Sequence, residues 1–439
     1  MKSKYKNKRV AVLGLGIEGK DAINYLLKEG ADVTLFDRKP EAGLDFAGIP
    51  RNKIDVIVGS DYLKDGLVGF DFIVRSPGVY RFIPEIVDAE KQGVVVTSAI
   101  KMFFDECPAQ IIGVTGTKGK GTTSTLIYEI LKAAGKVVYL AGNIGKPYLE
   151  LLREVKKNSW VILEMSSFQL IDMTSSPHIA VVLNVTEDHL DWHKSREEYI
   201  NAKKNIVRYQ TFEDFAVINE EYKVSKSFAS ETRAKVVFFS KKSLDNKFKQ
   251  DLLLRGEHNL ENIAAAVSVA RILEIDDKEI LEVVKKFKGL EHRLELVDTI
   301  GGVTFYNDSF ATGPQPTIAA INSFSEPETL ILGGSDKGLD YKELGEVIKN
   351  KPNVKNIILI GDTRSKIFDT FKGSPFKGKI FDLGYSSMKE IVTKAFEVSP
   401  KGGVVVLSPA AASFDMFENY KDRGNQFKKA VESLRNEQK

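Results

Sequence analysis

A glycine-rich turn that bears lysines follows a short apolar run, and its residue types suit the binding of a phosphate chain. The run is Gln110–Val114, and the residues over 116–123 read Gly-Thr-Lys-Gly-Lys-Gly-Thr-Thr. Glycines let successive backbone N–H groups point at one anion, a following helix N-terminus adds partial positive charge, and Lys120 can reach a terminal phosphate. The segment therefore predicts a nucleoside triphosphate site, with a helix that begins near Thr122.

This turn departs from a strict Walker A motif, because Val114 stands at the first glycine position and Gly121 follows the lysine. A magnesium-binding hydroxyl would then come from Thr122 or Thr123. An ordinary glycine-rich turn between a strand and a helix is the alternative interpretation.

A second glycine loop, Gly14–Gly19, follows the apolar run Arg9–Leu13, and Asp37 ends the next run 18 residues after Gly19. This is the dinucleotide-binding fingerprint in its expected context, so the glycines alone predict NAD. The segment Arg75–Gly78 ends a later strand and could add backbone donors. A Rossmann-like scaffold without a ligand is the alternative.

Acidic and imidazole groups follow two more apolar runs. Glu164 ends one run, and His189 lies just past another. The carboxyl ends of parallel strands face the ligand crevice of an open sheet, where a metal ion can bridge protein and phosphate. The pair predicts a Mg²⁺ site, although imidazole is unusual for so hard an ion, and Asp188 and Asp191 are competing candidates.

Later strings add polar groups. Asn259 could meet an adenine or ribose edge and Arg293 a phosphate, with a helix cap and a surface hairpin as the alternatives. The segments 306–312, 332–337 and 408–415 each end an apolar run in small and polar residues. Three strand ends of this kind predict polar groups that converge on one sheet edge.

Short β-branched runs alternate with helical patterns along the whole chain, which predicts doubly wound parallel sheets. We interpret the 439 residues as three α/β domains: a Rossmann-like N-terminal domain, a central ATPase-type parallel sheet domain and a Rossmann-like C-terminal domain. The predicted boundaries are 1–107, 108–290 and 291–439.

Composition bounds the function. A formal charge of +3 gives no global field for nucleic acid or a membrane surface, and no apolar stretch is long enough to span a membrane. Cys107 is the single cysteine, which excludes an internal disulfide and a thiolate zinc site and suits the cytoplasm.

Together these strings resemble the Mur ligases of bacterial cell-wall precursor synthesis over essentially the whole chain. The segments that carry the resemblance are 141–145 (AGNIG), 164–169 (EMSSFQ), 184–191 (NVTEDHLD), 292–293 (HR), 307–309 (NDS), 408–415 (SPAAASFD) and 423–425 (RGN). The resemblance implies a monomeric cytoplasmic ligase that uses ATP and Mg²⁺ to join D-glutamate to UDP-N-acetylmuramoyl-L-alanine through an acyl phosphate.

The resemblance also implies a role for individual residues, and it assigns UDP rather than NAD to the first glycine loop. The UDP substrate would meet Gly14, Gly16, Ile17, Asp37, Arg38, Ser76, Pro77, Gly78, Asn143 and His189. ATP would meet Gly116, Thr117, Lys118, Gly119, Lys120, Gly121, Thr122, Asn259, Asn262, Arg293 and Asp308. Glutamate would meet Thr312, Lys337, Ser413, Phe414 and Tyr420. The implied catalytic and metal set is Lys120, Thr122, Glu164, His189 and Lys203.

Lys203 matches the lysine that family members carbamylate, which turns a cation into an anion able to bind a second Mg²⁺. A native ammonium group there would repel the metal. Lys204 is adjacent, so the match leaves a register of one residue open.

Two departures keep other functions open. Lys118 and Gly121 are similar to residues of folylpolyglutamate synthetases, a related family of ATP-dependent amide ligases. Phe310 replaces a lysine and, with Lys118 and Pro314, matches a subgroup thought to use L-glutamate. A noncatalytic nucleotide-binding module, such as an NAD sensor, is the alternative from a different class.

Overall fold

The computed structural model describes residues 3–142, 145–186, 192–373 and 376–438. Over these residues the chain forms three sheets with helices between the strands, as the sequence predicts. It divides into two compact units, Met1–Leu244 with Glu261–Val283 and Asp245–Leu260 with Val284–Lys439. The first unit contains the first two sheets and the second unit contains the third. The domain boundaries at 107 and 290 stay predictions.

The first sheet places three loops side by side. Its elements are β1 (Arg9–Leu13), α1 (Ile17–Lys28), β2 (Asp32–Asp37), β3 (Asp55–Val58), β4 (Phe72–Arg75), α2 (Pro84–Lys91), β5 (Val95–Thr97) and α3 (Ala99–Glu106). All strands are parallel in the order β3-β2-β1-β4-β5. Leu13 pairs with both Phe36 and Arg75, so the segments that follow β1, β2 and β4 leave the same edge.

The second sheet is also fully parallel, with β6 at its interior. Its elements are β6 (Gln110–Thr115), α4 (Lys120–Ala133), β7 (Val138–Gly142), α5 (Tyr148–Leu151), β8 (Trp160–Glu164), α6 (Ser167–Leu170), β9 (Ile179–Val182), α7 (Arg196–Arg208), β10 (Phe215–Asn219), α8 (Lys223–Lys226) and β11 (Lys235–Phe239), followed by α9 (His258–Ile272) and α10 (Asp277–Lys286). The order is β11-β10-β9-β6-β8-β7. The chain moves from one side of β6 to the other after β8, and open sheets bind ligands at such a switch point.

The third sheet has one antiparallel edge. Its elements are β12 (Glu295–Ile300), β13 (Val303–Asn307), α11 (Pro314–Ile321), β14 (Glu328–Gly333), α12 (Lys342–Lys349), β15 (Val354–Ile360), α13 (Arg364–Asp369), β16 (Lys379–Gly384), α14 (Met388–Val398), β17 (Val404–Leu407) and α15 (Tyr420–Glu437). The order is β12-β13-β17-β14-β15-β16, and β12 pairs antiparallel with β13. Asn307 pairs with Leu407, so the segments after β13 and β17 begin side by side.

The buried strands explain why this arrangement forms. Central strands such as β9 and β17 are buried along their whole length, and their Val, Ile and Leu side chains fill the cores between sheet and helices. Continuous apolar runs of this kind are typical of parallel strands that are covered on both faces. No helix among the described residues is long and apolar enough to cross a membrane.

The sequence prediction needs two corrections. Helix α4 begins at Lys120 rather than near Thr122, so the lysine and Gly121 belong to its first turn. Five strands were not predicted: β3, β7, β11, β12 and β16.

Candidate active site

The turn between β6 and α4 has the conformation of an anion cradle. Gly119 precedes the helix with φ of 87°, in the left-handed region that favours glycine, and a Cβ there would lie 2.3 Å from Asn262 Oδ1. Within the described chain no side chain caps α4. Its first N–H groups therefore point toward the sheet edge, where they can meet a bound anion.

Lys120 folds back over this turn. Its Nζ donates to the carbonyl oxygens of Gly116 and Thr117, at 3.1 Å each. The ammonium group thus stands over the same backbone that a phosphate chain would follow. A cation in this position can neutralise charge on a terminal phosphoryl group.

The turn is fixed from behind by residues that are distant in sequence. The hydroxyls of Thr117 and Tyr199 lie 2.9 Å apart, and Tyr199 is buried. Asn184 accepts from Thr117 N at 2.6 Å through its backbone oxygen and from Lys118 N at 3.0 Å through its side chain. These bonds hold the turn in one conformation before any ligand binds.

Lys203 lies beneath the turn. It is 2% exposed, and its Nζ donates to Gly116 O at 3.0 Å and to Thr115 Oγ1 at 3.3 Å. Lys204 instead forms an ion pair with Glu231 at 2.8 Å. Of these two lysines, Lys203 approaches the glycine turn and Lys204 does not, which favours the register that the sequence match assigned to Lys203.

Glu164 lies on the strand next to the turn. It ends β8 and pairs in register with Val114 of β6, one residue before that strand ends. Thr123 is buried and its hydroxyl donates to Asn262 Oδ1 at 3.2 Å, whereas Thr122 is partly exposed, so Thr122 is the more accessible of the two hydroxyls for a metal ion. Among the described residues no group of three or more His, Cys, Asp or Glu side chains could hold a metal.

A second set of predicted residues lies at the carboxyl ends of the strands of the first sheet. Asp37 accepts from Leu15 N at 2.8 Å and from Lys39 N at 2.9 Å, so its carboxylate joins two loops. Ser76 Oγ donates to Gly14 O at 2.8 Å. A Cβ at Gly19 would lie 2.0 Å from Gly14 O, so this turn requires glycine.

Three further positions of that predicted set are open to solvent. Arg38 and Gly78 are exposed, and 72% of the Ile17 surface is accessible.

In the third sheet Asp308 is buried between two loops. Its Oδ2 accepts from Ser408 Oγ at 2.7 Å, and its Oδ1 accepts from Leu294 N at 3.1 Å. Burial raises the pKa of Asp308 to about 7, against these hydrogen bonds and the charge of Arg293, which lower it. The Arg293 guanidinium lies 4.0 Å from the centre of the Phe310 ring. Polar groups therefore do converge at this edge.

Arg423 organises the segment 408–415. The guanidinium is fully buried and donates to Ser309 Oγ and Ser309 O at 2.9 Å each, and to Ala412 O at 3.1 Å. Burial lowers the pKa of Arg423 to about 10. Since the planar guanidinium forms several bonds at once, it fixes this segment against the start of α15.

The predicted glutamate residues flank that segment. Ser413 is buried, whereas Phe414 is 67% exposed with Lys337 Nζ 5.6 Å from its ring centre. The rings of Phe310 and Tyr420 meet edge to face at 5.0 Å.

Comparison with known proteins decides the family. Models of the Mur ligase MurD-like N-terminal domain, the Mur ligase middle domain and the Mur ligase glutamate ligase domain match residues 8–98, 114–270 and 292–411. The UDP-N-acetylmuramoylalanine--D-glutamate ligase of Acetivibrio thermocellus is 45% identical to this chain, covering 99% of it and 98% of the relative. The chain belongs to the Mur ligase family. The ligase of the same name from Clostridium tetani is 40% identical, covering 98% and 97%.

Solved structures share the fold of this Mur ligase. UDP-N-acetylmuramate-alanine ligase from Thermotoga maritima superposes with a TM-score of 0.59 at 17% identity, covering 98% of this chain and 100% of that one. A MurF ligase from Thermotoga maritima in complex with ADP gives 0.57 at 18% identity, covering 99% and 97%. At these identities the likeness concerns the fold alone.

Some predicted residues of this Mur ligase cannot be placed at its site. His189 and Asn143 lie outside the described residues, as do Asp188 and Asp191. Asn262 does lie at the site, because its Oδ1 accepts from the Thr123 hydroxyl in the first turn of α4 at 3.2 Å.

Asn259, Arg293 and Asp308 belong to the second compact unit. Within that unit, Asn259 Nδ2 donates to Arg255 O at 2.6 Å. Their predicted contact with ATP stays a prediction.

Sequence reasoning missed several residues of this Mur ligase that position the site. Tyr199 stands four residues before Lys203 on α7, so the two side chains share one helix face, and that spacing was an available signal. Asp172 gave no such signal. It accepts from Arg75 at 3.0 Å and pairs with Arg81 at 3.3 Å, and it joins the segment after β4 to the segment after α6.

We expect Asp172→Asn to lower the free energy of unfolding of the first unit by about 3 kcal/mol, because it leaves the buried Arg75 guanidinium without its carboxylate, whereas Arg81 keeps its ion pair with Glu90 at 2.6 Å. The Asp172 side chain is 7% exposed and that of Arg75 is fully buried. Asp88→Asn is the matched control, since its pair with Lys91 is exposed and contributes less than about 1 kcal/mol. Urea unfolding followed by tryptophan fluorescence measures both, and equal small effects would contradict the assignment.

Proposed function

We propose that this Mur ligase adds D-glutamate to UDP-N-acetylmuramoyl-L-alanine, with ATP converted to ADP and phosphate, in peptidoglycan precursor synthesis. Two relatives that match along the whole chain carry this reaction in their names. One observation carries the proposal. At the carboxyl end of the strands of the second sheet, Lys120 and the N-terminus of α4 follow β6, and Glu164 ends the neighbouring strand β8.

The glycine turn fits a triphosphate. A Cβ at Gly116 would lie 2.8 Å from Leu183 Cβ, and one at Gly119 would meet Asn262, so the backbone is packed as closely as glycine allows. Bare backbone of this kind lets several N–H groups reach phosphate oxygens together. The uncapped first turn of α4 adds its partial positive charge.

The donor set at this edge also fits a Mg²⁺ ion that is held partly by the nucleotide. Magnesium usually takes one or two carboxylates together with phosphate oxygens and water. Glu164 and Thr122 would supply protein oxygens, His189 would add a further ligand, and Lys203 would bind the second ion once it is carbamylated. When bound, Mg²⁺ neutralises negative charge on the transferred phosphoryl group.

The residues then divide the reaction between them. Lys120 would hold the γ-phosphoryl group while the alanyl carboxylate of the UDP substrate attacks phosphorus, which gives an acyl phosphate and ADP. The amine of glutamate attacks the acyl carbon, loses a proton and expels phosphate, so an amide bond forms. Asn259, Asn262, Arg293 and Asp308 would contact the nucleotide. The glutamate carboxylates would meet Thr312, Lys337, Ser413, Phe414 and Tyr420.

The edge of the first sheet would bind the UDP part of the substrate. Gly14 and the N-terminus of α1 suit its diphosphate, while Asp37 and the exposed Ile17 flank the same loop. Arg38, Ser76, Pro77, Gly78 and Asn143 would complete the site. The proposal includes a monomeric enzyme of the cytoplasm, with no nucleic acid or membrane partner.

Product analysis tests this function. The protein is incubated with UDP-N-acetylmuramoyl-L-alanine, ATP, Mg²⁺ and either enantiomer of glutamate, and phosphate release and product mass are measured. We expect phosphate and an amide product with D-glutamate, and neither when the UDP substrate lacks its alanine. Phosphate release with L-glutamate alone would reassign the amino acid, and no release with either enantiomer would refute the ligase.

A further inference from the structure

An acidic residue stands inside the loop that would receive a diphosphate. Glu18 is the second residue of α1, within the run Gly14–Gly19. A carboxylate in the first turn of a helix interacts favourably with the helix dipole, and it therefore competes with any anion that binds the same N–H groups. A charged Glu18 would weaken diphosphate binding, so its position requires an explanation.

The structure shows that the side chain turns away from the loop. Glu18 Oε1 accepts from Gln169 Nε2 at 2.6 Å, and the same amide nitrogen donates to the hydroxyl of Tyr148 at 2.7 Å. Gln169 Oε1 accepts from Ser166 N at 2.7 Å and from Ser166 Oγ at 2.9 Å. These hydrogen bonds connect the first glycine loop to α6 through Gln169. Ser166, the residue that caps α6, lies two residues after Glu164.

The second carboxyl oxygen of Glu18 is buried. Oε2 has less than 1 Å² of accessible surface and accepts no hydrogen bond within the described part of the chain. Burying an ionised carboxylate with one oxygen that lacks a hydrogen bond costs much more free energy than burying the neutral carboxyl group. The surroundings accordingly favour the neutral acid.

The charged groups around Glu18 act in opposite directions. Burial raises its pKa to about 7, while the Gln169 hydrogen bond and the charge of Arg75 lower the pKa and the charge of Asp21 raises it. Asp21 itself accepts from Leu149 N at 2.8 Å and from Glu150 N at 3.1 Å, and burial raises its pKa to about 6. Glu18 therefore changes charge near neutral pH, above the range of an ordinary glutamate.

We propose that Glu18 is a positioning residue for the UDP substrate, which as a neutral acid joins the diphosphate loop to α6 through Gln169 and leaves the N-terminus of α1 free of negative charge. The inference rests on the proposed function, because it takes UDP as the ligand of this loop. Ionisation of Glu18 places a negative charge beside the diphosphate. It also leaves a buried charge on a carboxylate that has one oxygen without a hydrogen bond. Affinity for UDP then falls as the pH rises through about 7, since only the protonated form binds well.

Binding of a UDP-sugar to the full chain tests the proposal by calorimetry between about pH 6 and about pH 8.5, because its diphosphate, unlike the terminal phosphate of free UDP, does not ionise in this range. We expect the Kd of the natural protein to rise about thirtyfold across this range and that of Glu18→Gln, which mimics the neutral acid, to stay within about twofold. Glu29→Gln removes the same charge at the other end of α1 and should keep the natural pH profile. A parallel profile for Glu18→Gln and the natural protein would overturn the role of Glu18.

A second measurement needs no variant. If binding favours protonated Glu18, binding of the same UDP-sugar near pH 8 takes up as much as about one proton, which calorimetry in two buffers of different ionisation enthalpy detects. Zero uptake by the natural protein would overturn the inference while the UDP site itself stands. No binding of the UDP-sugar at any pH would instead refute the nucleotide role of the first loop, and this inference with it.

Discussion

We expect Lys120→Ala to lose at least about a thousandfold in turnover, measured as phosphate release at saturating substrates. The Lys120 ammonium stands over the glycine turn, 3.1 Å from the carbonyl oxygens of Gly116 and Thr117. Charge that develops on the phosphoryl group in the transition state needs a cation already in place, and alanine provides none. Solvent water cannot replace it, because water must reorient as the charge forms.

The fold of this variant should be intact, so the loss must be distinguished from unfolding. Lys132→Ala is the matched control, since it removes the same charge from the exposed last turn of the same helix and should keep natural turnover. Thermal unfolding without nucleotide should give equal midpoints for both variants. ADP should raise the midpoint of the control more than that of Lys120→Ala. Natural activity of Lys120→Ala would remove the lysine from the mechanism.

The strands that could be predicted from the sequence are mainly those at the interior of the sheets. β1, β6, β9 and β17 are continuous apolar runs because neighbouring strands and helices cover them on all sides. The five strands that were missed all stand at a sheet edge: β3, β7, β11, β12 and β16. Most of their positions are exposed or partly exposed, and an aspartate interrupts the apolar run of β12 and of β16. The strands β7 (VYLAG) and β11 (KVVFF) do carry apolar runs and were missed nonetheless.

Only part of the site could be predicted from the sequence. Residues inside one local motif, such as Lys120 after its glycines, were predictable because a turn between a strand and a helix is a local structure. The contacts that hold this motif in place could not be predicted. Asn262 reaches Thr123 from 139 positions away, and Glu18 reaches Gln169 from 151. Such pairs depend on how the sheets and helices pack, and no periodicity in the sequence records this.

The charge carried by Lys203 gives the second large effect. The side chain is 2% exposed and lies 3.0 Å from Gly116 O, directly below the phosphate turn. An ammonium group here would repel a metal ion at Glu164, whereas a carbamylated amine carries a negative charge that attracts one. We expect Lys203→Ala to lose about a hundredfold or more in turnover, because alanine cannot carry the anionic group that the proposed carbamylation would supply.

Chemical rescue tells the two charge states apart. If Lys203 works as an anion, formate or acetate should restore part of the turnover of Lys203→Ala by filling the space beneath the turn, and a short alkylamine should not. Rescue by the amine alone would show that the natural group is a cation and would refute carbamylation. Lys204→Ala is the control, since Lys204 pairs with Glu231 and should keep natural turnover without either additive.

The same acids should leave Lys120→Ala inactive, because that variant lacks a positive charge. Both lysines approach the Gly116 carbonyl. Opposite responses of their alanine variants would show that Lys120 acts on the turn as a cation and Lys203 as an anion. An equal response of both variants to acetate would instead point to a general effect of the salt and would remove the support for a charged partner at Lys203. The pair of variants therefore tests the electrostatic arrangement of the site rather than the importance of either residue alone.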